Sequence, residues 1–67
     1  MPEKTYILRF THSDDFEIEE VEHILETDAR EHLGLFGPED ADIYSRIDLI
    51  AYDWATHTEA LLETRKL

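Results

Sequence analysis

The sequence predicts an α+β domain, an N-terminal β-strand followed by two amphipathic helices, and three patterns support this fold class. Residues 4–11 alternate with the two-residue period of a strand. Residues 15–33 repeat apolar side chains at helical spacing, and residues 38–65 form a second stripe of the same kind. At 67 residues, the chain is expected to be a single small acidic domain spanning 1–67.

The strand at residues 4–11 is predicted from its content of β-branched and aromatic residues. Alternation places Tyr6, Leu8 and Phe10 on one face. The other face then carries Thr5, Ile7 and Arg9.

The first helix is expected over about residues 15–33. Asp14 is placed to cap it, and Glu17 three residues later completes the spacing of a capping box. Gly34 stands where the residue after the C-cap is expected. The apolar face of this helix consists of Ile18, Val21, Leu25, Ala29, His32 and Leu33.

The second helix is expected over about residues 38–65. Pro38 suits a first helical position, and the acidic residues just after it complement the positive helix end. At 100° per residue the apolar side chains fall on an arc roughly 140° wide. These side chains are Ile43, Tyr44, Ile47, Ile50, Ala51, Trp54, Ala55, Leu61 and Leu62.

A C-terminal hairpin is the alternative for this region. The run Ile47 to Trp54 has strong strand propensity, and residues 53–58 then form the loop before a last strand at 59–66. This arrangement gives the order β-α-β-β. Poor alternation over 59–66 and the helix-forming run Ala-Leu-Leu-Glu favour the helix.

In the helical interpretation the N-terminal strand has no partner within the chain. A lone strand must pair, so we expect an antiparallel pairing with the same strand of a second copy in a homodimer. The order strand–helix–helix resembles the ribbon–helix–helix repressors, which implies a DNA-binding regulator. The resemblance is limited to element order, because that family presents basic side chains where this strand offers Thr5, Ile7 and Arg9.

Charge and composition exclude several classes of function. Seventeen acidic and six basic residues give a net charge of −11, which disfavours direct nucleic-acid or anionic-membrane binding. No cysteine is present, so thiol chemistry and disulfides are excluded. The first residues lack an apolar leader and no apolar run is long enough to span a membrane, so a cytoplasmic protein is expected.

The acidic excess is concentrated in the predicted first helix. Residues 14–31 hold nine acidic residues and one arginine, a net charge of −8. At helical spacing Glu19, Glu22 and Glu26 stack in a row, with Glu20 beside them. Leu49 and Tyr52 lie off the apolar arc of the second helix, next to Asp48 and Asp53. The predicted partner-binding residues are Glu19, Glu20, Glu22, Glu26, Asp48, Tyr52 and Asp53.

These surfaces predict an inhibitor or modulator that docks a carboxylate-rich helix on a basic surface of a partner protein. A row of carboxylates imitates the charge of a nucleic-acid backbone, so a protein that handles nucleic acids is the sharpest form of this hypothesis. The alternative is a small structural or regulatory dimer whose acidity reflects a high-salt environment. A ribbon–helix–helix-like regulator is the third hypothesis.

No pattern predicts an enzyme, a cofactor or a metal site. The two serines lack a nucleophile motif, and two glycines do not make a phosphate loop. His23 and His32, nine residues apart on one helix, would point in opposite directions and could not share an ion. The pairs Glu19/His23 and Asp28/His32 are instead interpreted as ordinary surface pairs of the helix.

Overall fold

A computed structural model describes residues 3–14 and 17–67 of the chain. Within these residues, four β-strands form one antiparallel sheet in the order β2-β1-β3-β4. The elements are β1 (Lys4–His12), β2 (Ile18–His23), helix α1 (Glu26–Leu33), β3 (Tyr44–Asp53) and β4 (Thr58–Lys66). The predicted strand followed by two amphipathic helices is therefore wrong, and with it the resemblance to the ribbon–helix–helix element order.

The strand β1 matches the predicted segment but lies at the centre of the sheet. Leu8 is paired with Val21 of β2 on one side and with Leu49 of β3 on the other. Its backbone is thus bonded on both sides within one chain. The expected pairing of this strand across a homodimer is wrong, because the strand has no free side.

The predicted helix over 15–33 is a helix only in its last eight residues. Residues 15 and 16 lie outside the described part of the chain, and Ile18–His23 is a strand. Helix α1 begins after Leu25, which makes no side-chain cap, so the predicted capping by Asp14 and Glu17 is also wrong. Glutamate favours helices, but pairing of β2 with β1 outweighs this weak preference.

The predicted helix over 38–65 is wrong for all but its first residues. Pro38–Asp40 forms a single 3-10 turn, and the rest forms β3, a loop and β4. Because β3 is buried on both faces at its centre, its apolar run satisfies a helical period as well as a strand period. The C-terminal hairpin of the alternative fold is present, but the order β-α-β-β is wrong because β2 precedes the helix.

The loop between β3 and β4 shows why the hairpin forms. The Asp53 side chain accepts a hydrogen bond from the backbone N–H of Ala55 at 2.8 Å, the pattern of an Asx turn. His57 adopts the left-handed conformation with φ of 55°. These two local features reverse the chain, so the apolar run of β3 ends there instead of continuing as a helix.

The hydrophobic core lies between α1 and one face of the sheet, which we call the covered face. Ala29 and Leu33 of α1 are buried against the sheet. The sheet contributes Leu8, Phe10, Ile47 and Leu49 to the same cluster. In the described part of the chain no helix lies over the opposite face, and no helix is long and apolar enough to cross a membrane.

Candidate functional site

The opposite face, which we call the open face, carries a shallow groove with a volume of about 180 Å³. Strand alternation brings side chains from all four strands and from the loop after β3 to this groove. The lining residues are Thr5, Ile7, Arg9, Glu20, Glu22, Tyr52, Trp54 and Glu59. Three carboxylates and one guanidinium give the lining a net charge of −2.

The central strand β1 forms the floor of the groove through Thr5 and Ile7. Glu22 of β2 lies opposite Ile7, and Tyr52 of β3 lies opposite Thr5. The two walls are therefore two strand spacings apart, about 10 Å. One wall is acidic and the other is aromatic, with short side chains between them.

Arg9 closes one end of the groove. Its Nε donates to Glu20 at 2.8 Å, and its Nη2 donates to Glu59 at 3.3 Å. The hydrogen bond to Glu20 is the main cause that raises the pKa of Arg9 above its ordinary value, with the charge of Glu59 adding to it. Arg9 thereby links both edge strands across β1 and β3, and it neutralises much of the charge of these two glutamates.

Glu22 is different from the other two carboxylates of the groove. It is exposed, and no ion pair or hydrogen bond joins its side chain to another residue in the part of the chain described. Its charge is therefore uncompensated at the acidic wall. A cation that enters the groove meets this carboxylate without first displacing Arg9.

The aromatic wall is held by hydrogen bonds at both ends. The rings of Tyr52 and Trp54 pack edge to face with centroids 4.8 Å apart. The indole N–H of Trp54 donates to Thr5 Oγ1 at 2.7 Å, and the Tyr52 hydroxyl is 3.0 Å from Nδ1 of His57. Although these bonds orient the ring, Trp54 remains 51% exposed.

The structure brings only part of the predicted partner-binding set together. Glu20, Glu22 and Tyr52 line the groove. Asp48 lies on the same face but is buried, and its carboxylate accepts a hydrogen bond from the Thr64 hydroxyl at 2.9 Å. These four residues share the open face because the register aligns their positions on neighbouring strands, and aligned side chains point to the same face.

The other three predicted residues lie elsewhere. Glu19 points to the covered-face side of β2, where its carboxylate is 3.0 Å from Nε2 of His12. Glu26 starts α1 and accepts a hydrogen bond from Arg30 at 2.8 Å. Asp53 forms the Asx turn. The predicted carboxylate row on one helix is thus wrong, because a strand turns Glu19 and Glu22 to opposite faces.

Sequence reasoning missed Arg9, Trp54 and Glu59 as residues of the site. The sequence pattern puts Arg9 on the second face of β1, which is a usable signal because a charge at the centre of an apolar strand needs partners. The same pattern puts Trp54 on the apolar arc of a helix that does not form. Glu59 could be found only by knowing that β4 lies two strands from β1.

The histidines also differ from the prediction. Nε2 of His23 lies 3.0 Å from Nδ1 of His32, because His23 is on β2 and His32 is on α1. The expectation that these rings must point apart is therefore wrong. Burial, and to a lesser extent the charge of His23, lowers the pKa of His32. Among the described residues, no three histidine, aspartate or glutamate side chains cluster as metal ligands.

Comparisons with protein-family models, with curated proteins and with solved structures found no match to this chain.

Proposed function

We propose that this protein is a binding module that recognises a basic segment of a partner protein through the groove of the open face. The observation that carries the proposal is the pairing of an uncompensated carboxylate, Glu22, with an exposed aromatic wall across a floor of short side chains. The proposal keeps the predicted basic partner and replaces the predicted carboxylate-rich helix with a sheet surface.

The charge of the groove selects a cationic ligand. The lining has a net charge of −2, and the whole chain carries −11, so the field around the groove attracts cations and repels anions. An arginine or lysine side chain that extends over Ile7 and Thr5 would have Glu22 on one side and Tyr52 on the other. The charge of this side chain can pair with the carboxylate of Glu22. The flat guanidinium of arginine, or the aliphatic chain of lysine, can pack on the aromatic wall.

The geometry favours a side chain of a protein segment over a small molecule. The groove is shallow and open, whereas small-molecule sites enclose most of their ligand in clefts of about 300 Å³ or more. A floor only two side chains long accommodates one or two extended side chains. Further contacts must come from the surrounding acidic surface, which gives fast, salt-sensitive association.

The single tryptophan of the chain supplies a direct measurement, because Trp54 lies at the groove. We would titrate the protein with three eight-residue probe peptides in which glycine alternates with arginine, lysine or glutamate, and follow the emission of Trp54. Both basic peptides are expected to change the emission saturably, and the acidic peptide is not. Raising the salt concentration should weaken the binding.

A matched pair of variants separates recognition by the groove from general attraction to an acidic protein. Glu22→Gln and Glu31→Gln each remove one exposed carboxylate, the first inside the groove and the second on α1. Glu22→Gln should weaken binding about two- to fivefold, the value of one exposed ion pair, and Glu31→Gln should change it less. Equal losses in the two variants would contradict the proposal.

A further inference from the structure

The two edges of the sheet differ in charge. The described residues place β2 at one edge and β4 at the other, and each bonds to a neighbouring strand on one side only. β2 has three glutamates and no lysine or arginine, a net charge of −3. β4 has two acidic and two basic residues, a net charge of zero. In a chain of net charge −11, β4 is therefore the edge that a second copy can approach.

The edge of β4 is long and exposed. Its nine residues are all exposed or half-buried, and Leu61 and Leu62 leave 63% and 41% of their surfaces in solvent. One row of backbone N–H and C=O groups along this strand bonds to no described strand. Such an edge is a template for pairing with another strand.

The order of charges along β4 favours antiparallel pairing with the β4 strand of a second copy. The acidic residues Glu59 and Glu63 come first, and the basic residues Arg65 and Lys66 come last. Two antiparallel copies of such a strand place the acidic start of one beside the basic end of the other, and a twofold axis repeats this contact. Parallel copies would instead oppose like charges.

The register within the sheet makes this pairing compatible with strand alternation. Glu59 is paired with Tyr52 and Lys66 with Arg46, six residues apart on β3, so Glu59 and Lys66 both point to the open face. The register shift between Leu49 and Ile50 leaves an extra residue in β4, Leu62, between these two positions. A register that sets Glu59 opposite Lys66 therefore pairs side chains of the same face on both sides of Leu62.

We propose that β4 is a homodimer interface, in which two copies pair their β4 edges antiparallel, with Glu59 of each copy opposite Lys66 of the other. The product is a continuous eight-stranded sheet. Because the twofold axis is perpendicular to the sheet, both open-face grooves lie on the same side. The dimer then presents two grooves to one partner, which raises the affinity for a segment with repeated basic residues.

Sedimentation equilibrium tests the interface directly, over about 10 μM to about 1 mM protein, since edge pairing buries less surface than a standard interface and gives a weak dimer. The wild-type chain should dimerise in this range. Glu59→Lys should weaken dimerisation about tenfold, because the twofold axis repeats the like-charge contact with Lys66. General electrostatics predicts the opposite result, a stronger dimer, because the substitution reduces the negative net charge of the chain and so the repulsion between two copies.

Exchanging the charges at positions 59 and 66 tests whether dimerisation can be restored. Lys66→Glu should weaken dimerisation, and the double variant E59K/K66E should restore it to near the wild-type value. Lys4→Glu, an exposed residue of β1 with the same charge change as Lys66→Glu, serves as the control and should have a smaller effect. A wild-type chain that is monomeric throughout the range, a stronger dimer in Glu59→Lys, or a double variant without rescue would each overturn the proposal. Peptide binding to the monomer is measured separately, so neither result decides the other.

Discussion

The covered face and the open face alternate along the same strands, but their side chains have different consequences. On β1, Leu8 is fully buried, and its neighbour Arg9 reaches two glutamates on different strands. Helix α1 packs only on the covered face, so that face supplies most of the buried apolar area that stabilises the domain. The open face is thereby free to carry charged and aromatic side chains that contribute less to stability and more to recognition.

This difference predicts that truncation of the same residue type has unequal effects on the two sides. Leu49→Ala, a fully buried position of the covered face, should lower the free energy of unfolding by about 3 kcal/mol. A domain of this size has a total of roughly 3 to 10 kcal/mol, so the loss is severe. Urea denaturation followed by circular dichroism measures this loss.

Leu61→Ala is the control for this prediction, because Leu61 is 63% exposed on β4. It should change the free energy of unfolding of the monomer by no more than about 0.5 kcal/mol. Both measurements belong at low protein concentration, where dimerisation does not contribute. Similar losses for the two variants would show that the open face is also part of the stabilising core.

The sequence predicted the parts of the fold that depend on local alternation. Alternation predicts that Tyr6, Leu8 and Phe10 share one face of a strand, and Leu8 and Phe10 are buried there in the structure. The last turns of the first helix were also correct, because Ala29 and Leu33 need a helical period to meet the same surface. In these segments local preference and tertiary packing agree.

The rest depended on pairings that a single sequence does not display. Glu19, Glu20 and Glu22 favour a helix locally, and only the pairing of β2 with β1 makes them a strand. A run buried on both faces, such as β3, has no distinctive period. The candidate site shares this dependence, because Arg9 and Glu59 are 50 residues apart and meet only in the sheet.

A second prediction concerns the hydroxyl groups of two threonines on the open face, the buried Thr11 and the exposed Thr64. The Oγ1 of Thr11 is buried without a hydrogen-bond partner among the described residues, whereas the Thr64 hydroxyl donates to Asp48. Thr11→Val should therefore raise the free energy of unfolding by about 1 kcal/mol, since valine keeps the shape and removes the unsatisfied group. Thr64→Val should lower it by about the same amount, because Asp48 loses a donor. Chemical denaturation of both variants tests the pair, and stabilisation by both would contradict this account of Asp48.

The smallest expected effect is a pH dependence on the covered side of the sheet, where His32 of α1 contacts His23 of β2. The pKa of His32 is lowered in the folded chain from the ordinary value of 6.5. Below pH 6.5 the unfolded chain therefore binds the proton more readily than the folded chain. The contribution of the neutral His32 ring to the free energy of unfolding is complete above pH 6.5. It is lost as the pH falls from 6.5 through the lowered pKa of His32 in the folded chain. The loss in the free energy of unfolding is small because it comes from a single, partly buried side chain.

Thermal denaturation at pH 7.5 and pH 5.5 measures this effect when wild type is compared with His32→Gln. All other residues are the same in both proteins, so the difference between their two pH dependences isolates the ring at position 32. Wild type should lose more stability on acidification than the variant. An unchanged pH dependence in His32→Gln would show that the contact between β2 and α1 does not sense protonation. In that case the two faces of the sheet would differ in packing but not in their response to pH.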